Sequence, residues 1–367
     1  MTLQPRQKAI LAAVIERYVE NAEPVGSTTL AVDPYFTAQV GNVSSATIRN
    51  ELAELEAAGL LAHPHTSAGR VPTDAGYRYY VNEILRPRAL KPNERAQIAA
   101  RIAAPAASVE DALREATAAL AKLTGYPAVA SLPTAQRDTM RHLQINPVPP
   151  QRLILVLVTA AGRIDHRMFE VDQEVPSSRL TTVVNFLNEK LSGRSLSSLR
   201  TLPFEDVAEG LHDAATINLA RRAWELVRQS VADVTDERIV VQGLITLLDE
   251  PEFSDIQQAR AAMRLFEDGP AMSDLLRSSL ERAAIVPESA SRADRYVSPH
   301  TIIIGSEHPK VDNPTVERFS FVGIAYGAGG EVLGTVGIMG PTRMKYADAI
   351  ALVPALAARL QVSLETL

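Results

Sequence analysis

The sequence predicts an α+β multidomain protein. An N-terminal winged helix-turn-helix is followed by an α+β domain into which a mainly helical one is inserted. Three observations carry the prediction. Residues 43–80 run in the order helix, strand, loop, strand, which is the order of a winged helix. After residue 90 the apolar patterns come as strands, then a long helical block, then strands again, which places one domain inside another. The chain has 367 residues, 46% of them apolar, enough for two or three separate cores.

The first helix runs from Pro5 to Val19, with Ile10, Leu11, Val14, Ile15 and Tyr18 as its buried side. Proline at a helix start removes only an N–H that would lack a partner anyway. Asn21 to Gly26 breaks the helix, and Ser27 caps a short second one, Thr28 to about Val32. Ser44 or Ser45 caps the third, which Gly59 stops. Its core side is Ile48, Leu52 and Leu55. The opposite side carries Ala46, Asn50, Ala53 and Ala57, flanked by Thr47 and Arg49. Small residues there allow close approach to another surface. Asn bonds an adenine edge, Arg bonds guanine or phosphate, and Ala touches a thymine methyl. On an isolated helix this would be an ordinary small-residue face. With two helices before it and a wing after it, it is the candidate recognition helix.

Three helices thus precede the wing. Leu60 and Leu61 start its first strand, Thr66 to Gly69 turn, and Arg70-Val71 return. His63, His65, Thr66, Ser67 and Arg70 fall within reach of phosphate or the minor groove. The plainer reading makes Arg70 a solvated turn residue and each His a surface imidazole. The sequence HPH has no metal-ligand spacing behind it, and no Cys is present to assist.

Pro87 and Pro92 punctuate the exit from this unit. A helix follows from about Val109 to Leu123, then a strand over Tyr126 to Leu132. Pro147, Pro149 and Pro150 mark a connection before QRLILVLVTAAGRIDHRMFEV, two strands around a turn at Ala161-Gly162. Ser177 to about Ala284 reads as mainly helical. Strands resume at HTIIIGSE, FSFVGIAYG and EVLGTVGIMG, and a last helix runs from Tyr346 to about Leu364.

Composition narrows the function. Zero Cys rules out disulfides and thiolate metal or redox sites, and fits a cytoplasmic protein. The start, MTLQPRQKAI, lacks a signal-peptide pattern, and no run reads as long and apolar enough to span a membrane. A net charge of −6 is awkward for a DNA binder, but only groups facing phosphate displace counterions. Locally, residues 70–91 carry Arg70, Arg78, Arg86, Arg88 and Lys91 against Asp74 and Glu83.

No catalytic, cofactor or metal signature stands out. GAGGEVLGTVGIMG fits neither dinucleotide nor P-loop spacing and lies between strands, so Gly327, Gly329 and Gly330 read as a hairpin turn. GPTRMKY leads into the last helix as either an anion site or, more simply, a structural junction or interdomain contact.

Four segments, AEPVGSTTL, VSSATIRNELAELEAAGLL, HPHTSAGRVPTDAGYRYYV and GIMGPTRMKYADAI, resemble the heat-inducible transcription repressor family, HrcA. The match reaches both ends of the chain, with VQGLITLLDEPEF similar in between. One departure is AVDPYFTAQVGN, between Leu30 and Val43, several residues longer than the usual turn. The resemblance implies a winged helix, residues 1–90, and a GAF-like domain in two parts, 91–176 and 298–367. A dimerisation domain, 177–297, would be inserted between those parts. It also implies a homodimeric repressor on inverted-repeat double-stranded DNA operators of chaperonin and DnaK-type operons, active only while chaperonin is available. Ser45, Thr47, Arg49, Asn50, His65, Thr66 and Arg70 are the expected DNA contacts. Two other readings are a metabolite-responsive regulator sensing a small ligand through its GAF-like domain, and a protein-binding winged helix.

Overall fold

The computed structural model describes residues 2–64, 69–102, 106–133, 138–232, 238–283, 301–308, 314–328 and 331–365. The described residues are mixed α/β, with three sheets among them.

The N-terminal unit opens with α1 (Pro5–Asn21), which ends at Ala22 in a left-handed conformation. Next come α2 (Ser27–Ala31), α3 (Pro34–Val40) and α4 (Ser45–Ala57). Four helices therefore precede the strand pair among the described residues, not three. The extra one, α3, forms from the stretch read as a long turn. Its start is well specified: the Asp33 carboxylate accepts from the N–H groups of Tyr35 (2.8 Å) and Phe36 (3.3 Å), and Pro34 takes the first helical position. Phe36 is buried in the same core as α1, so α3 is packed rather than looped out.

Gly59, with φ at 75°, ends α4, and the Leu60 N–H returns to the Leu55 carbonyl at 3.0 Å. β1 (Leu61–Ala62) then pairs antiparallel with β2 (Val71–Pro72). A further bridge joins Val25 to Arg70, so the α1–α2 connection lies along this small sheet. Gly69 is required there: a Cβ would sit 2.4 Å from the Val25 carbonyl carbon. The expected turn over Thr66 to Gly69 falls mostly outside the described residues, as do Gly329 and Gly330. Thr73 caps α5 (Asp74–Tyr79), which continues as a wider turn to Ile84, and α6 (Pro92–Arg101) follows.

The larger sheet is built from β3 (Ala128–Ser131), β7 (Ile239–Gln242), β8 (Thr301–Ile304), β9 (Phe319–Ala328) and β10 (Glu331–Pro341), in the order β7-β3-β10-β9-β8, every pair antiparallel. Alternation along the strands divides their side chains between two faces. Ala128, Ala130, Val322, Ile324, Val336 and Ile338 share a core with α7 (Val109–Thr124) and α14 (Tyr346–Leu364). Val129, Ile303, Phe319, Phe321 and Met339 meet α12 (Ile256–Glu267) and α13 (Gly269–Ala283) on the other face. By length and composition α14 could cross a membrane, contrary to the sequence reading. Here it is a core helix, with Leu352, Val353, Leu356 and Leu360 buried against α7 and β9.

The third sheet is β4 (Met140–Val148), β5 (Arg152–Thr159) and β6 (Ile164–Glu170), in that order. One face is covered by α8 (Ser177–Leu191), α9 (Leu196–Thr201), α10 (Phe204–Val207) and α11 (Ala214–Ala232). Trp224, on α11, is fully buried in this core.

Two strands, β4 and β7, are not evident from local sequence pattern. Pro147 reads as part of a connection, but it lies in β4, an edge strand, where it leaves no ladder bond unmade. β7 lies within the stretch read as helical. β4–β6 share one core with α8–α11, while β7, α12 and α13 belong to the larger sheet.

Candidate nucleic-acid interface

The outer face of α4 is the candidate site. Ser44 caps the helix by accepting from the Thr47 N–H at 3.1 Å, and the two hydroxyls lie 2.9 Å apart. Ser45 and Ser27 hydroxyls are 3.0 Å apart, which sets the first turns of α2 and α4 side by side. Arg49 and Asn50 are exposed, with Ala46, Ala53 and Ala57 exposed around them. Neither Arg49 nor Asn50 has a side-chain hydrogen bond or ion pair to another described residue. Their polar groups are available to a partner molecule.

The glutamates of the same helix are engaged elsewhere. Glu51 is buried and accepts from Arg6 Nε at 2.7 Å. Glu54 accepts from the Gln7 amide at 2.7 Å, and Glu56 pairs with Arg70 at 2.7 Å. Two of the three negative charges on α4 are thus matched by cations. The third, Glu54, is exposed one turn from Asn50 and is bonded only to the neutral Gln7 amide.

The strand pair departs from the expectation. Arg70 sits at the base of the loop, its backbone bonded both ways to Val25 at 2.9 Å and its side chain 18% exposed against Glu56. It is not a solvated turn residue. His63 Nδ1 is buried without a partner among the described residues. His65 and Thr66 lie outside the described residues.

The local excess of arginine after residue 70 also has a different destination. Arg78 Nε donates to Glu307 at 2.8 Å and its Nη2 to the Ile302 carbonyl at 2.7 Å. Arg88 forms a fork on Glu94 at 2.7 and 2.8 Å and also pairs with Asp348. Those Arg88 bonds outweigh desolvation and pull the Glu94 carboxyl down to about 2. These arginines bind the N-terminal unit to the larger sheet and α14, not to phosphate. Among the described residues, no cluster of His, Cys, Asp or Glu could hold a metal ion.

Comparison with known proteins agrees along the whole length. The family described as "HrcA protein C terminal domain" matches residues 110–350. The heat-inducible transcription repressor HrcA of Moorella thermoacetica is 34% identical, covering 100% of this chain and 99% of its own. That of Sorangium cellulosum is 36% identical, covering 98% and 97%. A crystal structure described only as that of a hypothetical protein aligns over 100% of this chain and 99% of its own, with 22% identity and a TM-score of 0.61, and so shares the fold. The class these observations define is a transcription repressor. The chain belongs to the heat-inducible transcription repressor family, HrcA.

Proposed function

We propose that the chain is a sequence-specific, DNA-binding repressor of chaperonin and DnaK-type operons, with α1–α5 and β1–β2 as a winged helix-turn-helix and α4 as its recognition helix. The observation that carries this is the α4 surface: Arg49 and Asn50 exposed and unengaged on a face otherwise made of alanines, with the helix's glutamates bonded elsewhere. Thr47, Arg49 and Asn50 read base edges in the major groove, and Ser45 meets phosphate at the helix start. Arg70 acts from the base of the wing, with His65 and Thr66 further along it.

The repressor binds an inverted repeat as a homodimer, both α4 helices entering the groove from one side of the duplex. The uncovered face of the β4–β6 sheet supports a dimer contact. Ile164 and Met168 are exposed there, 67% and 58%, opposite Val158 and Ile154. An apolar sheet face of this kind is costly to leave in water. The larger sheet with α7 and α14 is the GAF-like part, and β4–β6 with α8–α11 is the inserted part. Activity set by chaperonin availability rests on the family likeness. Physically, a helper that binds the native form raises its population by mass action.

Footprinting on a chaperonin-operon promoter tests the reading. Protection of an inverted repeat, extended to lower repressor concentration by added chaperonin, is the expected result. No protected repeat at any concentration contradicts it.

A further inference from the structure

The motif GPTRMKY contains a side chain that base reading does not use. Arg343 lies between β10 and α14 and is buried, 6% exposed. Its Nε donates to Glu252 Oε1 at 2.6 Å, and its Nη2 to Glu252 Oε2 at 3.1 Å and to Glu250. Its Nη1 donates to the Val19 carbonyl at 2.9 Å. Glu250 and Glu252 belong to the short turns between β7 and α12, where Phe253 stacks on Phe319 with ring centroids 5.0 Å apart. Val19 is in the last turn of α1, where carbonyls lack helical N–H partners and a cation is favoured. One guanidinium therefore joins the end of α1 to two separate parts of the α/β core.

The same seam has other directional ties. Tyr77 of α5 packs against Tyr346 with ring centroids 5.9 Å apart, and Asp74 accepts from the Ser306 N–H at 2.8 Å. Apolar contacts alone would permit sliding between the unit and the core. A guanidinium fork has fixed donor directions and admits one register. Buried ion pairs add little net stability over apolar substitutes, so their value at a seam lies in the geometry they impose.

We propose that Arg343 is a positioning residue for operator binding: it fixes the orientation of the α1–α5 unit on the α/β core, and so the spacing of the two α4 helices in the dimer. This rests on the dimeric-repressor reading above. Arg343 touches no DNA. Its loss leaves each reading helix intact and releases the angle between the two.

The test uses the full chain with Arg343→Lys, and separately the triple variant Arg343→Met, Glu250→Gln, Glu252→Gln. The triple variant removes the charges together, so no buried carboxylate is left unpaired. Anisotropy is read on an inverted-repeat duplex from a chaperonin-operon promoter, on the same repeat with its spacer changed by about two base pairs, roughly a fifth of a helical turn, and on a single half-site. Wild type is expected to favour the native spacing by on the order of tenfold, the gain of linking two sites at matched geometry. The variants should bind the half-site as wild type does and lose most of that preference. A retained spacing preference overturns the inference, and so does half-site binding that falls in parallel. Wild type that prefers the repeat to a scrambled duplex but ignores spacing also overturns it, leaving the repressor reading in place. Wild type that does not distinguish repeat from scramble removes both.

Discussion

Arg70 and Glu56 form an ion pair, 2.7 Å between Nη2 and Oε2, that joins the base of the β1–β2 loop to helix α4. On the proposed role of α4 in reading DNA, the pair gives Arg70 two routes to affinity: its own attraction for phosphate, and neutralisation of a carboxylate on that helix. Arg70→Ala should weaken binding to all sequences and lower the salt slope by about one. Adding Glu56→Gln should restore part of the loss. A double-mutant cycle by anisotropy separates the two routes, because a pure phosphate contact gives no recovery.

Asn50 should behave in the opposite way. Its exposed amide has no described partner to lose, so Asn50→Ala should leave stability unchanged. It should reduce discrimination at one base pair by roughly 1–3 kcal/mol. Competition with a panel of single-base operator variants measures this. Equal weakening on every variant would remove Asn50 from base readout.

Stability at the seam should depend on how charge is removed. Arg343→Met leaves Glu250 and Glu252 without their cation in a mostly buried site, and should cost about 3–5 kcal/mol. The triple variant that also neutralises both glutamates should recover most of that. Chemical denaturation of the three proteins is the check, and an equally unstable triple variant would contradict it.

Acid should loosen a second tie on the same seam. The Arg88 fork draws the Glu94 carboxyl from 4.5 to about 2 in the folded chain. A depressed folded value means its contribution is fully present above about 4.5 and disappears as pH falls toward 2. Glu94→Gln should therefore destabilise the protein at neutral pH and flatten its loss of stability over that acid range. Denaturation midpoints from pH 7 downward report both effects, and a variant with the wild-type acid limb would argue against the pairing.

The uncovered face of the β4–β6 sheet should carry the dimer. Met168→Glu puts a carboxylate opposite Ile154 on that face. Light scattering should show a shift to monomer, with half-site binding retained. A dimer that survives both Met168→Glu and Ile164→Glu would place the contact elsewhere.

Much of the architecture is written locally in the chain. α1, α4 and α14 follow from apolar spacing and end signals, and β5–β6 from two apolar runs around Gly162, whose φ is 84°. α3 was legible too, since Asp33-Pro34 is a helix start, but an expected short turn hid it. β4 and β7 were harder. Prolines disguised the first, and the second has only four residues. In both, pairing with a partner strand decides the structure. The site shows the same division. Helical spacing alone gave the Arg49–Asn50 face, but not the partners of the arginines. Arg78 meets Glu307 and Arg343 meets the Val19 carbonyl across most of the chain's length. No local pattern encodes such pairs.

Reading by α4 is tested most directly by anisotropy of the purified protein on a labelled inverted-repeat duplex from a chaperonin-operon promoter, against a scrambled duplex, across a salt series. Tight binding to the repeat alone, weakening steeply with salt, is the predicted result. Equal, weak binding to both duplexes would contradict α4 as a reading helix.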